Sequence, residues 1–562
     1  MRRTPLTAAA LALGLAITAT PAANAVDTPV YMESVNSAAT LRTLITTGDI
    51  IGGYQLPGIP DGLGIRMNGA NAQILMNHEI SPAASSVKRV GGASTGSTIS
   101  SLTYDLASGK ITGGSEAIKR ITWFDYATGK YGTTPGAPVG ALAVDAYGVA
   151  LHSTAISRFC SANLVQDGDL AVKENGIVYG YAGAAHFTGE ESGDESRAWA
   201  LNMDGELVQL GAFGLGAWEN IVQVPTANRT SAFMMNEDGP ATDSQLFMYV
   251  GEKQQQTVTT TTLVKTRIKV KGKPVTRTTK QKTSTSIPWY QAAGLTNGKS
   301  YVMKIGNFAM EKDFRAAVGK NGSTPVTFTA IDATMNGKVQ NQMAALGGTS
   351  LARVEDGSFD PNHPNDYYFV TTESNKDAKA TTSNPASPTI KRDGGALWRL
   401  RFDDVKNPLA GASITMLLDG SEAPYLNKPD NMTVDGSGNI LIQEDPGNND
   451  HIARVIAYRI SDGRMAVLAQ FKTQYFSKSE TATFMTVDEE SSGVVDATAL
   501  LRSGASDKAS YYLLDAQVHT MTSVARPDIT DAAAKAALDL NSVEGGQLYA
   551  LKISDWAAVY AG

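Results

Sequence analysis

The feature that most constrains this chain is an alternation of apolar residues around aromatic rings that keeps returning in strand-length segments. Ala198-Trp199-Ala200-Leu201, Ala396-Leu397-Trp398-Arg399-Leu400 and Gln547-Leu548-Tyr549-Ala550-Leu551 are three examples. Period two marks a strand, whereas long helical periodicity is rare here. The aromatic centres Tyr104, Trp199, Tyr249, Tyr301, Trp398, Tyr458 and Tyr549 are separated by 95, 50, 52, 97, 60 and 91 residues. A unit of about 50 residues, sometimes skipped, has the size of a kelch-type propeller blade. The expected fold is therefore all-β: a β-propeller with loop and hairpin insertions. A decorated β-sandwich is the alternative, since the same strands and turns serve both. Ser108-Gly109, Asp204-Gly205, Gly436-Ser437-Gly438 and Asp462-Gly463 read as hairpin turns. No clean linker divides residues 26–562, so they are expected to form one domain. A helix is predicted near Asp531 to Leu540.

The N-terminus reads as an export signal. Arg2-Arg3 precedes an apolar stretch from Leu6 to Ile17, and Ala23-Asn24-Ala25 has the small-x-small form of a cleavage site, so residues 1–25 are expected to be removed. The arginine pair permits a twin-arginine route. Loss of both arginines leaves a chain more acidic than its formal charge of −7, which argues against general nucleic-acid binding. No later apolar run is long enough to span a membrane. A secreted or extracytoplasmic protein is expected, and nothing specifies an oligomer, so a monomer is expected. One segment is unlike the rest: residues 265–282 carry eight Lys or Arg and no acid, with Thr and Val alternating around Lys271-Gly272-Lys273-Pro274. This predicts a protruding basic β-hairpin, either a solvated insertion or a contact for a polyanion or cell surface.

Acidic residues recur in short runs beside strand-like segments: Glu79, Glu190-Glu191, Glu237-Asp238, Glu355-Asp356, Glu444-Asp445 and Asp488-Glu489-Glu490. If the fold gathers them, like charges can share a small volume only with cations between them, which predicts a metal-dependent function. Cys160, the single cysteine, has no disulfide partner in the chain; it is a small buried apolar residue or a thiolate metal ligand. The six histidines include no His-Glu-x-x-His pair, which disfavours a zinc hydrolase. The one Gly-x-Ser-x-Gly match, Gly92 to Gly96, runs into Ser97-Thr98-Ile99-Ser100 rather than a helix, and no Walker-type phosphate loop occurs.

Asn77-His78-Glu79, Arg158-Phe159-Cys160, Thr188-Gly189-Glu190-Glu191, Glu444-Asp445-Pro446-Gly447-Asn448, Asp515-Ala516-Gln517-Val518-His519 and Val543-Glu544-Gly545-Gly546-Gln547-Leu548 together resemble the PhoX-type alkaline phosphatase family. The resemblance runs from about Gly58 to Leu551. It implies a six-bladed propeller, an iron and calcium cluster at one end of the central channel, and hydrolysis of small-molecule phosphate esters.

Carried over residue by residue, it implies that Cys160 ligates iron and that Glu219, Glu355 and Glu490 bind metal beside it, with Glu79, Glu190, Glu191 and Asp445 as calcium ligands. It implies that Arg353 holds the substrate phosphate through its planar fork. Trp218 stands where the family usually has His, Val354 where it has Pro, and Ser491 where it has Cys, so this is a divergent member. His78 and His519 lie in family-like motifs and either orient ligands, protonate a leaving group or are structural. Two other readings fit the same residues: a phytase-like or phosphodiesterase propeller hydrolase, and a non-catalytic calcium-binding propeller.

Overall fold

The structure, a computed structural model, describes residues 27–561 apart from 86, 88, 90–93, 146–147, 241 and 375–392. The export segment 1–25 and part of the Gly92–Gly96 match therefore lie outside the described residues. Six four-stranded antiparallel blades succeed one another along the chain. Their innermost strands are Pro60–Asn68, Phe159–Val165, Trp218–Gln223, Val354–Phe359, Pro429–Val434 and Glu489–Asp496. Each lies against the next, and the sixth lies against the first, so the ring closes around a central channel. The protein is a six-bladed β-propeller. The N-terminal segment helps to close it: Met32–Ser34 pairs with Met465–Phe471 at the outer edge of blade five, and Ala39–Thr46 pairs with Glu544–Ile553 as the fourth strand of blade six.

The aromatic repeat has a simple physical origin. Six of the seven centres sit on the third strand of their blade, one per blade, and Tyr301 lies on the fourth strand of blade three. The repeat unit is thus one blade of variable length, not a 50-residue unit that is skipped. Insertions stretch it: strands Arg120–Asp125 and Lys130–Gly132 join blade two, and strand Ser323–Ile331 bridges blades three and four into one nine-stranded sheet. The alternation buries both faces of each blade. Trp199 and Leu201 pack toward blade one while Ala198 and Ala200 pack toward blade three. Trp398 faces blade three and Leu397 faces blade five. The core is accordingly six apolar clusters, one in each gap between neighbouring blades. A sandwich has one such layer.

All four predicted turns join adjacent strands of a blade. The helix spans Ala532–Ser542, with Asp531 accepting the Ala534 N–H as its N-cap. The basic hairpin is longer than its charged core, pairing Thr257–Val270 with Lys273–Ser286, and all its side chains but Ile268 are exposed. Among the described residues no helix is long and apolar enough to cross a membrane.

Candidate metal and phosphate site

One position recurs in every blade. The second residue of each innermost strand is Asp61, Cys160, Glu219, Glu355, Asp430 or Glu490. All six are buried. In blades one to five the ladder to the second strand shifts register at that residue, with two residues on the inner strand for one on its neighbour. A bulge re-aims a side chain that regular pleating would turn elsewhere. Donor atoms of Asp61, Glu79 and Cys160 lie within 4.8 Å of one another, as do those of Cys160, Glu191 and Glu219, and those of Glu219, Glu355 and Asp430.

Two further rings surround this one. The residues two places before each inner donor are Ile59, Arg158, Ala217, Arg353, Lys428 and Asp488. Their carbonyls accept the N–H of Glu79, Glu191, Asp238, Thr372, Asp445 and His519 respectively, the same bond in all six blades. Ile59, Arg158, Arg353 and Lys428 have φ of 49°, 42°, 62° and 49°. The left-handed region is costly for side chains of this size, and such strain collects at functional sites.

This arrangement decides which member of each acidic pair faces the channel mouth. In Glu190-Glu191, Glu237-Asp238 and Glu444-Asp445 the first acid is the last residue of the second strand. Its side chain is held by neighbours within its own blade. Arg197 donates to both Glu190 oxygens, through Nε at 2.5 Å and Nη2 at 2.7 Å. Arg454 and His451 hold Glu444, whose carboxyl they keep at about 2 against the effect of burial. Glu190 therefore does not join the cluster predicted for it. His78 occupies the corresponding place in blade one, fixed between Gly58 O at 2.9 Å and Ser100 Oγ at 2.6 Å, and its contacts are structural. Burial drives its pKa down to about 3. The second acid of each pair, Glu191, Asp238 or Asp445, belongs to the outermost ring.

Asp61 and Asp430 escaped the sequence reading because each is a lone acid in a Pro-Asp dipeptide. The signal was there: both dipeptides open an inner strand, in register with Cys160 and Glu355. Gln517 lies in the Asp515-Ala516-Gln517-Val518-His519 segment, and its Nε2 donates to Glu79 at 3.0 Å, Asp61 at 3.3 Å and Ser492 Oγ at 3.2 Å.

The electrostatics are those of a cation site. Burial, then neighbouring carboxylates, push Asp61, Glu219 and Asp430 well above the ordinary carboxylate range. Glu355 is raised by burial and Asp238. Glu490 is pushed up to about 7, first by burial and then by Asp445. The Cys160 thiol, whose Sγ lies 3.2 Å from Asp61 Oδ2, is raised by burial and by Asp61. Glu219 Oε1 and both Asp515 oxygens are buried with no hydrogen-bond partner. Orphaned acceptors of this kind suit hard cations, and a thiolate among them suits iron.

The cations of the middle ring are spoken for unequally. Arg158 is shared by Glu79 and Glu191, with Nη2 2.6 Å from Glu191 Oε2. Arg353 presents its fork to Asp238, Nε–Oδ1 2.9 Å and Nη2–Oδ2 2.6 Å. The bidentate face expected for phosphate is therefore the one that positions the side chain. Nη1 is the least engaged end: it makes only a long ion pair with Glu373, 3.9 Å away, on a side chain 28% exposed. Burial alone would lower the His519 pKa, but Glu490 and Glu544 hold it well above the usual value.

The sequence pattern of the family described as "Alkaline phosphatase PhoX" matches residues 202–497, more than half of the chain. The chain belongs to the PhoX family. It is a phosphoric ester hydrolase. Its fold resembles that of Pseudomonas fluorescens PhoX in complex with vanadate, a transition state analogue, at 11% identity and a TM-score of 0.55, covering 93% of this chain and 96% of that one. A luciferin-regenerating enzyme aligns over 88% of this chain and 91% of its own at 9% identity, with a TM-score of 0.29, too low to carry an argument. No curated protein sequence matches the chain.

Proposed function

We propose that this PhoX-family enzyme is exported and hydrolyses small-molecule phosphate esters with calcium and iron held by its inner ring. The observation that carries the reading is one buried donor per blade, five carboxylates and one thiol, converging on the channel mouth. Glu79, Glu191 and Asp445 add oxygens from the outer ring. Cations bound there supply Lewis acidity toward the phosphoryl oxygens and a lowered pKa for an attacking water.

The protein's own groups do the remaining work. Arg353, held by Asp238, directs Nη1 at the transferring group and stabilises charge that develops on it. His519 sits between Glu490 and Glu544, Nδ1–Oε2 2.7 Å to the latter, and fixes the orientation of Glu490. Gln517 does the same for Glu79 and Asp61.

The test measures metal content of purified protein together with turnover of a generic phosphomonoester and phosphodiester, before and after chelation and calcium restoration. Iron near stoichiometry and calcium-restored turnover are expected, and Cys160→Ser is expected to lower bound iron while folding persists. Calcium without iron, and turnover of neither ester, overturns the reading.

A further inference from the structure

We propose that Lys428 is a second substrate-binding cation, donating from Nζ to a phosphoryl oxygen of the ester. This rests on the phosphatase reading of the same site. Lys428 stands in blade five where Arg158 and Arg353 stand in blades two and four: two residues before the inner-ring donor, at positive φ, with its carbonyl tied to the outer ring by Asp445 N at 3.0 Å. Its own N–H donates to Asp393 O at 2.6 Å, so the backbone is clamped from both sides. Ile59, at the corresponding place in blade one, shares the twist without the charge.

The three cations differ in what they have left to give. Arg158 is neutralised by two carboxylates and Arg353 by Asp238 and Glu355. The Lys428 ammonium has no hydrogen bond or ion pair among the described residues. It reaches along the rim, 3.8 Å from the point where a Cβ on Gly447 would lie, and its charge acts on Asp488 of blade six. The side chain is half-buried. A lysine whose charge is felt by Asp488, yet which is bound to no carboxylate among the described residues, keeps that charge for a ligand. A flexible stem and a compact point charge suit a tetrahedral phosphoryl group that changes geometry during reaction.

Gly447, beside the ammonium, has φ of 62°, a conformation that favours glycine, and a Cβ there would lie only in ordinary contact with Nζ.

The experiment compares wild type, Lys428→Met and Lys428→Arg in phosphomonoester kinetics, inhibition by inorganic phosphate, metal content and thermal unfolding. A charge-assisted hydrogen bond to phosphate corresponds to about tenfold to a hundredfold in affinity. Lys428→Met is expected to raise KM and the phosphate inhibition constant by that factor, with metal content and melting temperature unchanged, and Lys428→Arg to recover most of the loss. Unchanged KM and phosphate inhibition in Lys428→Met overturn the proposal. So does a loss of metal or folding that accounts for the kinetic change. A wild-type protein that turns over no ester refutes the phosphatase reading itself, a different outcome from an active wild type indifferent to Lys428.

Discussion

Glutamine at position 490 should make the metal-free protein less sensitive to pH. Burial and the Asp445 charge raise the Glu490 carboxyl from 4.5 to about 7 in the folded protein. The folded state therefore holds this proton more tightly than the unfolded state, and the stabilisation it brings is fully present below pH 4.5. As pH rises the unfolded chain ionises first, so stability declines until the folded carboxyl has ionised too, above about 7. At 1.36 kcal/mol for each tenfold in proton affinity, the loss is about 3 kcal/mol. Urea unfolding of chelator-treated protein at about pH 5 and about pH 8 reads it directly. Wild type should lose about 2–3 kcal/mol more across that interval than Glu490→Gln, and calcium should erase the difference, because a cation then replaces the proton. Parallel pH dependence in the two proteins would refute the reasoning, and with it the picture of a strained carboxylate ring that waits for metal.

Two more outcomes follow from the geometry. Arg197→Met leaves Glu190 buried and unpaired, which should cost about 3–5 kcal/mol of stability in urea unfolding while bound metal per folded molecule stays constant; a fall in metal content without loss of stability would return Glu190 to the site. Replacing residues 257–286 by a short turn should leave the melting temperature and phosphomonoester turnover unchanged, since the hairpin's side chains are exposed and its strands pair only with each other; a large drop in either would show that the arm packs on the body.

Much of the fold was legible because blade burial is periodic. A strand packed on both faces must alternate apolar residues to both sides, and the aromatic centre of each third strand survives as a local mark. The distorted spacing misled because insertions add length without disturbing the blade. Tyr301 was miscounted as a separate unit for the same reason. At the site, Cys160, Glu219, Glu355 and Glu490 were readable from short motifs. Asp61 and Asp430 were not: a single acid after proline is also what an ordinary strand start looks like. Which acid of Glu190-Glu191 or Glu237-Asp238 joins the outer ring was not readable, because adjacent acids on a strand point to opposite sides and the sequence does not say where that strand ends.

The amino-acid order alone determined the all-β character, the turns, the basic hairpin, and a chain carrying enough acid to need cations if those acids met. These are local properties, set by side-chain period and backbone preference. Only the tertiary structure decided that they do meet. Donors 61, 160, 219, 355, 430 and 490 are far apart along the chain, and ring closure brings the second residue of six inner strands to one mouth. It also decided which acids face that mouth, which are held by arginine, and that the Lys428 ammonium at its rim has no partner among the described residues. Those outcomes depend on bulges and on strand ends, where a shift of one residue turns a side chain from the channel into the gap between blades.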